Sequence, residues 1–300
     1  MTVQPVLVAE NICKMFPSSG GRGIHAVDQV NLHINPGETL GLVGESGSGK
    51  STLGRALLQL DRPTSGRVLL NGTDITAMSD RALRPLRRHM QMVFQDPQSS
   101  LDPRMTVASI IAEPLVIAGA VKGRAALRRR VEELLDLVRL PTSAAKRYPQ
   151  EFSGGQKQRI GIARAIALNP QLIVADEAVS SLDVSVQAQI INLLTDLQAE
   201  LGFACLFIAH DLAVVRHVAD RIAVMFLGRI VELASSEALF AEPSHPYTRT
   251  LLDAAPIPDP EFEATRQRNV GAFVRRRYPA ELTEIAPGHF VASDVPEPSE

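Results

Sequence analysis

Apolar and polar residues alternate over much of the first ninety positions. Every second residue from 30 to 34 is apolar, and the residues between them are polar. This period of two is typical of a half-buried strand. A more apolar strand is predicted at residues 39–43. Asn71-Gly72 separates two further short runs, and this dipeptide favours a tight hairpin. The N-terminal part of the chain is therefore predicted to be rich in strands.

Between about residues 104 and 170 the period lengthens to that of a helix. One stretch places its apolar side chains at i, i+3, i+4 and i+7, namely Val131, Leu134, Leu135 and Val138. This spacing puts them on one face of an amphipathic helix, with charged side chains on the other. A second helix is predicted at residues 156–168, ending near Asn169-Pro170.

After residue 170, wholly apolar runs alternate with helical patterns. Strands are predicted at residues 172–175 and 204–209, and helices at residues 184–201 and 211–218. Strands that are apolar throughout are buried on both faces, so their alternation with helices predicts βαβ units and a parallel sheet. A last hairpin is predicted around Gly228-Arg229.

Composition narrows the class of protein. The 300 residues are 45% hydrophobic and 21% charged, with a net charge of -2. These values are ordinary for a globular protein and give no general attraction to nucleic acid or anionic lipid. Cys13 and Cys205 are far apart, which argues against a disulfide framework and predicts two reduced, buried thiols. No export signal is visible, and the apolar run at residues 107–121 is interrupted by Glu113-Pro114. The chain is predicted to be cytosolic.

The segment after the strand at residues 39–43 matches the phosphate-loop pattern G-x-x-x-x-G-K-[ST]. Its residues are Gly44, Glu45, Ser46, Gly47, Ser48, Gly49, Lys50 and Ser51, followed by Thr52. The glycines let backbone N–H groups surround a phosphate, Lys50 adds a charge near the β- and γ-phosphates, and Ser51 offers a hydroxyl to Mg²⁺. A chance glycine-rich turn is the alternative, but a strand precedes the loop and a helix follows it. We therefore expect ATP binding.

The strand at residues 172–175 ends in Asp176-Glu177. In a protein with a phosphate loop, a neighbouring strand end is where an acid reaches Mg²⁺. Asp176 is expected to hold the metal through water, and Glu177 to orient or deprotonate the attacking water. The alternative is a solvated acidic turn that caps the strand.

A second glycine cluster stands immediately before a predicted helix. It consists of Ser153, Gly154, Gly155 and Gln156. One interpretation is an N-capped helix start. The other is a second anion site, again at a helix N-terminus.

With these motifs in order, the sequence resembles the nucleotide-binding subunits of ABC transporters over roughly residues 5–260. The cluster at residues 153–156 resembles their signature motif, with Phe152 where Leu is more usual. Four further matches are Phe16 (the aromatic that stacks on adenine), Gln95 (the Q-loop glutamine, which touches Mg²⁺ and senses the membrane partner), residues 180–183 (the D-loop) and His210 (the switch histidine, which contacts the γ-phosphate).

The resemblance implies an α/β fold, a P-loop NTPase core of the ABC type. It has an N-terminal antiparallel β subdomain, an α-helical subdomain at about residues 97–150 and a short C-terminal extension. The implied domains are residues 1–240 and 241–300. In the family, the signature residues face the ATP of the other subunit, so two subunits close head-to-tail on two ATP molecules. Gly154 and Gly155 would let the backbone approach the second nucleotide's γ-phosphate.

The chain after residue 240 is similar to the C-terminal extension of oligopeptide and dipeptide importer ATPases. The resemblance rests on residues 245–248 (His-Pro-Tyr-Thr) and on the Pro-rich residues 256–260. The alternative is a helix with Pro-rich flanks that covers the sheet edge. Many relatives carry a cysteine cluster here that ligates iron and sulfur, whereas no cysteine follows Cys205, so no iron–sulfur cluster is predicted. Residues 266–277 contain a basic patch, and an acidic, floppy tail is expected at residues 294–300.

The resulting hypothesis is an ATPase subunit that powers import of peptides or related small solutes. Its implied partners are a second ATP-binding subunit (identical or different), two membrane permeases and an extracytoplasmic solute-binding protein, with no nucleic acid. It would lie peripherally on the cytoplasmic face of the inner membrane. One alternative is a soluble ABC-type ATPase without a transport role. The other is a degenerate subunit that binds ATP without turnover, which Glu177 and His210 argue against.

Overall fold

The computed structural model describes residues 4–17, 23–180, 182–254 and 278–292. The strands are β1 (Leu7–Phe16), β2 (Ile24–Ile34), β3 (Thr39–Val43), β4 (Ser65–Leu70), β5 (Thr73–Asp74), β6 (Met90–Val93), β7 (Leu172–Asp176), β8 (Ala204–Ala209), β9 (Arg221–Phe226), β10 (Arg229–Ser235), β11 (Leu282–Ala286) and β12 (His289–Ala292). The α-helices are α1 (Lys50–Leu57), α2 (Asp80–Leu83), α3 (Pro97–Ser100), α4 (Val107–Ile117), α5 (Arg124–Leu137), α6 (Gly154–Ile166), α7 (Val184–Leu201), α8 (Leu212–Arg216), α9 (Ser236–Ala241) and α10 (Pro246–Ala254). Within the described ranges, 3₁₀ turns lie at Leu86–His89, Thr142–Lys146 and Pro149–Glu151.

The described chain forms two compact units that interleave along the sequence. The first contains Ile34–Glu38 and Ala77–Leu206, with the described start of the chain. The second contains Leu7–His33, Thr39–Thr76 and the described residues from 207 onward. The predicted boundary at residue 240 divides the chain in a different way, by family resemblance, and it stays a prediction.

The second unit holds a four-stranded sheet of order β2-β1-β4-β5. β4 pairs antiparallel with both β1 and β5. Asn71 (φ 48°) and Gly72 (φ 76°) form the turn between β4 and β5 in the left-handed region. This geometry suits the twist of a two-residue hairpin. The predicted hairpin and the expected antiparallel N-terminal subdomain are confirmed.

The larger sheet of the second unit has the order β11-β12-β10-β9-β3-β8. β3 runs parallel to β9, whereas β9 and β10 form a hairpin. Its turn residues are Leu227 and Gly228, with φ values of 45° and 86°. The predicted turn at Gly228-Arg229 was therefore one residue late. Arg229 lies in β10, where its buried guanidinium bonds to the Asp28 carboxylate at 2.7 Å.

The sheet of the first unit contains β8, β7 and β6 in that order, and the boundary between the units falls inside β8. β6 and β7 are parallel, with Met90 opposite Leu172 and Val93 opposite Ala175. Every residue of β7 and β8 is buried, as expected of strands covered on both faces. The strand at residues 204–209 and the helix at residues 184–201 are confirmed with the predicted bounds.

The predicted helical region at about residues 97–150 contains α3, α4, α5 and 3₁₀ turns. α5 buries Val131, Leu134 and Leu135, the face that the periodicity indicated. Among the described helices, none combines the length and apolar character that crossing a membrane requires.

The two thiols differ in environment. Cys205 is buried, as predicted, and burial raises the pKa of its thiol to about 12. The prediction is wrong for Cys13, which is only half-buried. It lies where the register of β1 shifts against β4, and its Sγ accepts a hydrogen bond from the Gln29 N–H at 3.2 Å.

Several predicted features lie outside the described residues. These are Ser181, the Pro-rich residues 256–260, the basic patch within residues 266–277 and the acidic tail at residues 294–300. The absence of an iron–sulfur cluster concerns residues 271–279, most of which also fall there, so it stays a prediction.

One element was not predicted at all. β11 and β12 form a hairpin over Pro287-Gly288, and β12 pairs antiparallel with β10.

Candidate functional site

The phosphate-loop segment connects β3 to α1 in the second unit. Gly44 (φ 155°) and Gly49 (φ 106°) have backbone angles that L side chains rarely adopt. A Cβ at Gly49 would collide with the Ala26 carbonyl oxygen, and one at Gly44 with the Met225 carbonyl oxygen. The loop therefore packs so closely on neighbouring backbone that only glycine fits at both ends.

Polar groups converge inside this loop. Lys50 is only 4% exposed, and its Nζ donates to the carbonyl oxygens of Gly44 at 2.8 Å and Glu45 at 2.9 Å. The Ser48 hydroxyl is buried and, among the described residues, has no hydrogen-bond partner. A buried hydroxyl without a partner carries a cost that a ligand oxygen would remove. Ser51 and Thr52 follow in the first turn of α1 and are half-buried. These groups suit an anionic ligand.

Two other predicted residues belong to the second unit. Phe16 ends β1 with 40% of its surface exposed, and the Lys14 ammonium lies 5.3 Å from its ring centroid. Its ring is accessible for stacking. His210 follows β8 directly and is exposed.

The first unit brings together Gln95 and the acidic pair. Because β6 and β7 are parallel, their carboxyl ends meet at one edge of the sheet, where Gln95 follows β6 and Glu177 follows β7. The Gln95 Nε2 donates to the Glu177 Oε2 at 2.8 Å and lies 3.4 Å from the Ser180 Oγ. Asp176 is buried, and Glu177 is half-buried. Gln95, Glu177 and Ser180 thus form one hydrogen-bonded cluster.

The backbone at Glu177 has an uncommon conformation. Its φ is 44°, in the left-handed region, although it is not glycine. Such conformations cost about 1–3 kcal/mol and are frequent at functional sites. The Ser180 hydroxyl donates to the Glu177 carbonyl at 3.1 Å and helps to hold this turn.

The signature-like segment is a capped helix start. The Ser153 Oγ accepts from the Gln156 N–H at 3.4 Å, and the Gln156 Oε1 accepts from the Ser153 N–H at 3.1 Å, a reciprocal capping box. A Cβ at Gly155 would collide with Val186 on α7. At Gly154 it would meet Leu182 at 3.1 Å. Packing against Val186 thus already explains why residue 155 is glycine. The second-anion interpretation stays a prediction.

One polar residue near this site was missed. Gln158 is almost completely buried in α6, and its Nε2 donates to the Phe94 carbonyl oxygen at 3.4 Å. Phe94 precedes Gln95, so α6 supports the segment that carries the glutamine. A glutamine on the buried face of an amphipathic helix was the available signal.

The predicted site residues therefore fall into two groups. The second unit holds the phosphate loop, Phe16 and His210. The first unit holds Gln95, Asp176 and Glu177, and also the residues at 153–156. One group has a glycine-lined loop with a buried ammonium, the other an amide hydrogen-bonded to a carboxylate, and their roles stay predictions.

Comparison with known proteins identifies the family of this chain. Residues 27–180 match the family model described as ABC transporter, and residues 231–276 match the one described as oligopeptide/dipeptide transporter, C-terminal region. The chain belongs to the ABC transporter family, and it is an ATPase with the predicted α/β P-loop fold.

Individual relatives and a solved structure support this family assignment. The chain is 49% identical to the putative oligopeptide transport ATP-binding protein YkfD of Bacillus subtilis, covering 96% of this chain and 94% of that one. It is 50% identical to the glutathione import ATP-binding protein GsiA of Salmonella paratyphi A, but it spans only 48% of that relative. Among solved structures, it resembles the ATP-binding cassette MJ0796, a dimer in a post-hydrolysis state bound to ADP and Pi. The TM-score is 0.71 at 32% identity, covering 77% of this chain and 98% of that one.

Proposed function

We propose that this chain is the ATP-hydrolysing subunit of an importer for peptides or related small solutes. The observation that carries the proposal is the match of residues 231–276 to the oligopeptide/dipeptide transporter C-terminal region. Relatives named for peptide and glutathione import support it over a soluble ATPase without a transport role. Which solute is imported is a property of the partners that contact it.

In this proposal the phosphate loop binds the nucleotide. The buried Lys50 ammonium neutralises the β- and γ-phosphates, and backbone N–H groups of residues 46–51 donate to their oxygens. The Ser48 hydroxyl gains a hydrogen-bond acceptor. The exposed Phe16 ring stacks on the adenine.

In this proposal, Glu177 and the residues around it carry out hydrolysis. Glu177 accepts a proton from the attacking water, and the Gln95 amide fixes the Glu177 carboxylate by donating to Oε2. His210 donates to the γ-phosphate. The side chains of Ser51, Gln95 and Asp176 would hold Mg²⁺, since hydroxyl, amide and carboxylate oxygens are the ligands it prefers. When bound, Mg²⁺ neutralises charge on the β- and γ-phosphates.

The proposed assembly contains more than this chain. The residues at 153–156 would act on the ATP held by a second ATP-binding subunit, as the family resemblance implies. The dimeric state of the similar cassette supports this arrangement. Two permeases and an extracytoplasmic solute-binding protein complete the importer. The chain would lie on the cytoplasmic face of the membrane, held there by the permeases.

Substitution of the proposed base tests the hydrolytic role. We expect Glu177→Gln to lower ATP turnover at least about a hundredfold, since general bases contribute roughly 10²–10⁴-fold. The matched control is Glu200→Gln, the same change at an exposed position on α7. Steady-state phosphate release with Mg²⁺ is the measurement. Unchanged turnover in Glu177→Gln would show that Glu177 is not the base.

Uptake by cells tests the transport role. A strain lacking this chain is complemented with the wild type, Glu177→Gln or Glu200→Gln, and uptake of labelled di- and tripeptides and of glutathione is measured. We expect the deletion to abolish uptake of at least one of them, and only the wild type and Glu200→Gln to restore it. Equal uptake in all four strains contradicts import of these solutes.

A further inference from the structure

A residue of the C-terminal extension contacts the phosphate loop directly. The backbone N–H of Glu45, the second residue of the loop, donates to the Tyr247 hydroxyl at 2.9 Å. Tyr247 belongs to α10 and lies 202 residues downstream of Glu45. It is fully buried, with a relative exposure of 0%. The loop is thus held from outside its own strand and helix.

The Tyr247 ring is held against the strand that supports the loop. It packs on Phe226, the last residue of β9, with ring centroids 4.4 Å apart. The neighbouring residue Met225 presents the carbonyl oxygen that leaves no room for a side chain at Gly44. Tyr247 and Gly44 therefore contact neighbouring residues at the same end of β9.

Buried polar contacts hold the start of α10 in place. The Glu232 carboxylate on β10 is fully buried and accepts from the N–H groups of Ser244 at 2.8 Å and His245 at 3.0 Å. The His245 Nδ1 accepts from the Tyr247 N–H at 3.1 Å. On β12, the His289 Nε2 lies 2.8 Å from the Glu232 Oε1. Docking of the β11–β12 hairpin is thus linked, contact by contact, to Tyr247.

From these contacts we infer that Tyr247 is a positioning residue for ATP binding, through which the C-terminal extension sets the geometry of the phosphate loop. The hydroxyl fixes the peptide between Gly44 and Glu45. The carbonyl oxygen of this peptide, that of Gly44, accepts from the Lys50 ammonium, as does the carbonyl oxygen of the next peptide, that of Glu45. Displacement of this peptide moves the acceptors that hold Lys50. The inference rests on the proposed role of the loop in binding ATP.

The test removes one oxygen atom. Tyr247→Phe keeps the ring on Phe226 but leaves the Glu45 N–H without its acceptor. A hydrogen bond contributes about 0.5–1.5 kcal/mol net, so we expect ATP affinity to fall by roughly 2–10-fold. The change should appear in the KM for ATP and in the Kd for nucleotide, with kcat changed by less than about twofold, because the groups at Glu177 are untouched.

A matched control lies in the same helix. Thr248 is also fully buried, and among the described residues its hydroxyl has no hydrogen-bond partner. Thr248→Val removes a buried hydroxyl at the next position without touching the loop, so KM should stay at the wild-type value. An equal rise of KM in both variants would assign the effect to packing of α10 and overturn the inference.

A measurement on the wild-type protein tests the same contact even if the Tyr247→Phe variant does not fold. We expect NMR hydrogen exchange to show the Glu45 amide better protected than the amides of its exposed neighbours Ser46 and Gly47. Exchange at the same rate in all three overturns the inference, as does an unchanged KM in folded Tyr247→Phe. Failure of wild-type protein to bind ATP would instead contradict the proposed function.

Discussion

At the scale of single residues, the hydrogen bond from Gln95 helps to orient the Glu177 carboxylate. Glu177 has left-handed backbone angles, and its side chain accepts from the Gln95 amide at 2.8 Å. Without that donor the carboxylate loses one of the contacts that orient it. Loss of orientation at a proton acceptor lowers kcat more than substrate affinity.

Gln95→Ala is therefore expected to lower kcat about tenfold, within the range attributed to orientation of reacting groups. Gln91→Ala is the control, because Gln91 lies on β6, the strand that leads to Gln95, and its side chain donates to the Arg87 carbonyl oxygen. The measurement is ATP turnover at saturating ATP and Mg²⁺. A drop of equal size in both variants would mean that β6 has been disturbed and that the orientation argument is wrong.

The thiols give a second prediction for single residues. Burial raises the pKa of Cys205 to about 12, so at pH 8 this thiol is protonated and has little thiolate to react. Cys13 is half-buried. We expect a maleimide at pH 8 to label Cys13 first and Cys205 only after denaturation. Mass spectrometry of peptides from the Cys13→Ser variant and the wild type checks the order. Rapid labelling of Cys205 in the native protein contradicts it.

At the scale of elements, the packing of α6 on α7 depends on one glycine. A Cβ at Gly155 would collide with Val186. Overpacking of this kind typically costs about 1–3 kcal/mol, so Gly155→Ala should lower the free energy of unfolding by that amount in urea titrations. Adding Val186→Ala removes the obstacle and should recover part of the loss.

Gly161 provides the matched control for this prediction. It lies in the same helix, and a Cβ there would meet no atom within 4 Å. Replacing a glycine inside a helix by alanine gains roughly 0.5–1 kcal/mol, so Gly161→Ala should raise stability. The same substitution should thus have opposite signs at two positions of α6. A loss of equal size at both would show that contact with α7 is not the cause.

The sequence was most informative for elements with one unbroken hydrophobic pattern. β8 and α7 have the predicted bounds because a continuous apolar run and a long helical period leave little choice of register. The predicted turn was one residue late because a charged residue is expected outside a buried strand, whereas Arg229 is buried in β10 by its ion pair with Asp28. β11 and β12 were missed because short, partly exposed strands have little alternation, although Pro287-Gly288 was a turn signal.

The site shows the same division. The loop at residues 44–51 is local in sequence, so its pattern was sufficient. The Gln95–Glu177 hydrogen bond joins residues 82 positions apart, and the sequence predicted its members but not their contact. The Tyr247–Glu45 contact was not predicted at all, since nothing local in the sequence reports which loop a buried hydroxyl will meet.

At the scale of the whole molecule, the proposed mechanism requires that residues of two chains form each ATP site. Ser153→Ala would damage the signature segment that acts on the ATP of the partner subunit, whereas Glu177 of the same chain stays intact. Glu177→Gln would do the reverse. In a mixed dimer, one site would then combine an intact Glu177 with an intact signature, and the other would have neither.

Mixing the two inactive variants should therefore restore activity. If copies pair at random, half the dimers are mixed and each has one working site, so turnover should reach roughly a quarter of the wild-type value. Each variant assayed alone at the same total concentration is the control, and circular dichroism checks α6, because Ser153 also caps that helix. Turnover no greater than the mean of the two separate variants would mean that two copies of this chain do not share a site. The signature at residues 153–156 would then have to serve a different ATP-binding subunit, and the same mixing assay with that subunit would be expected to show the recovery.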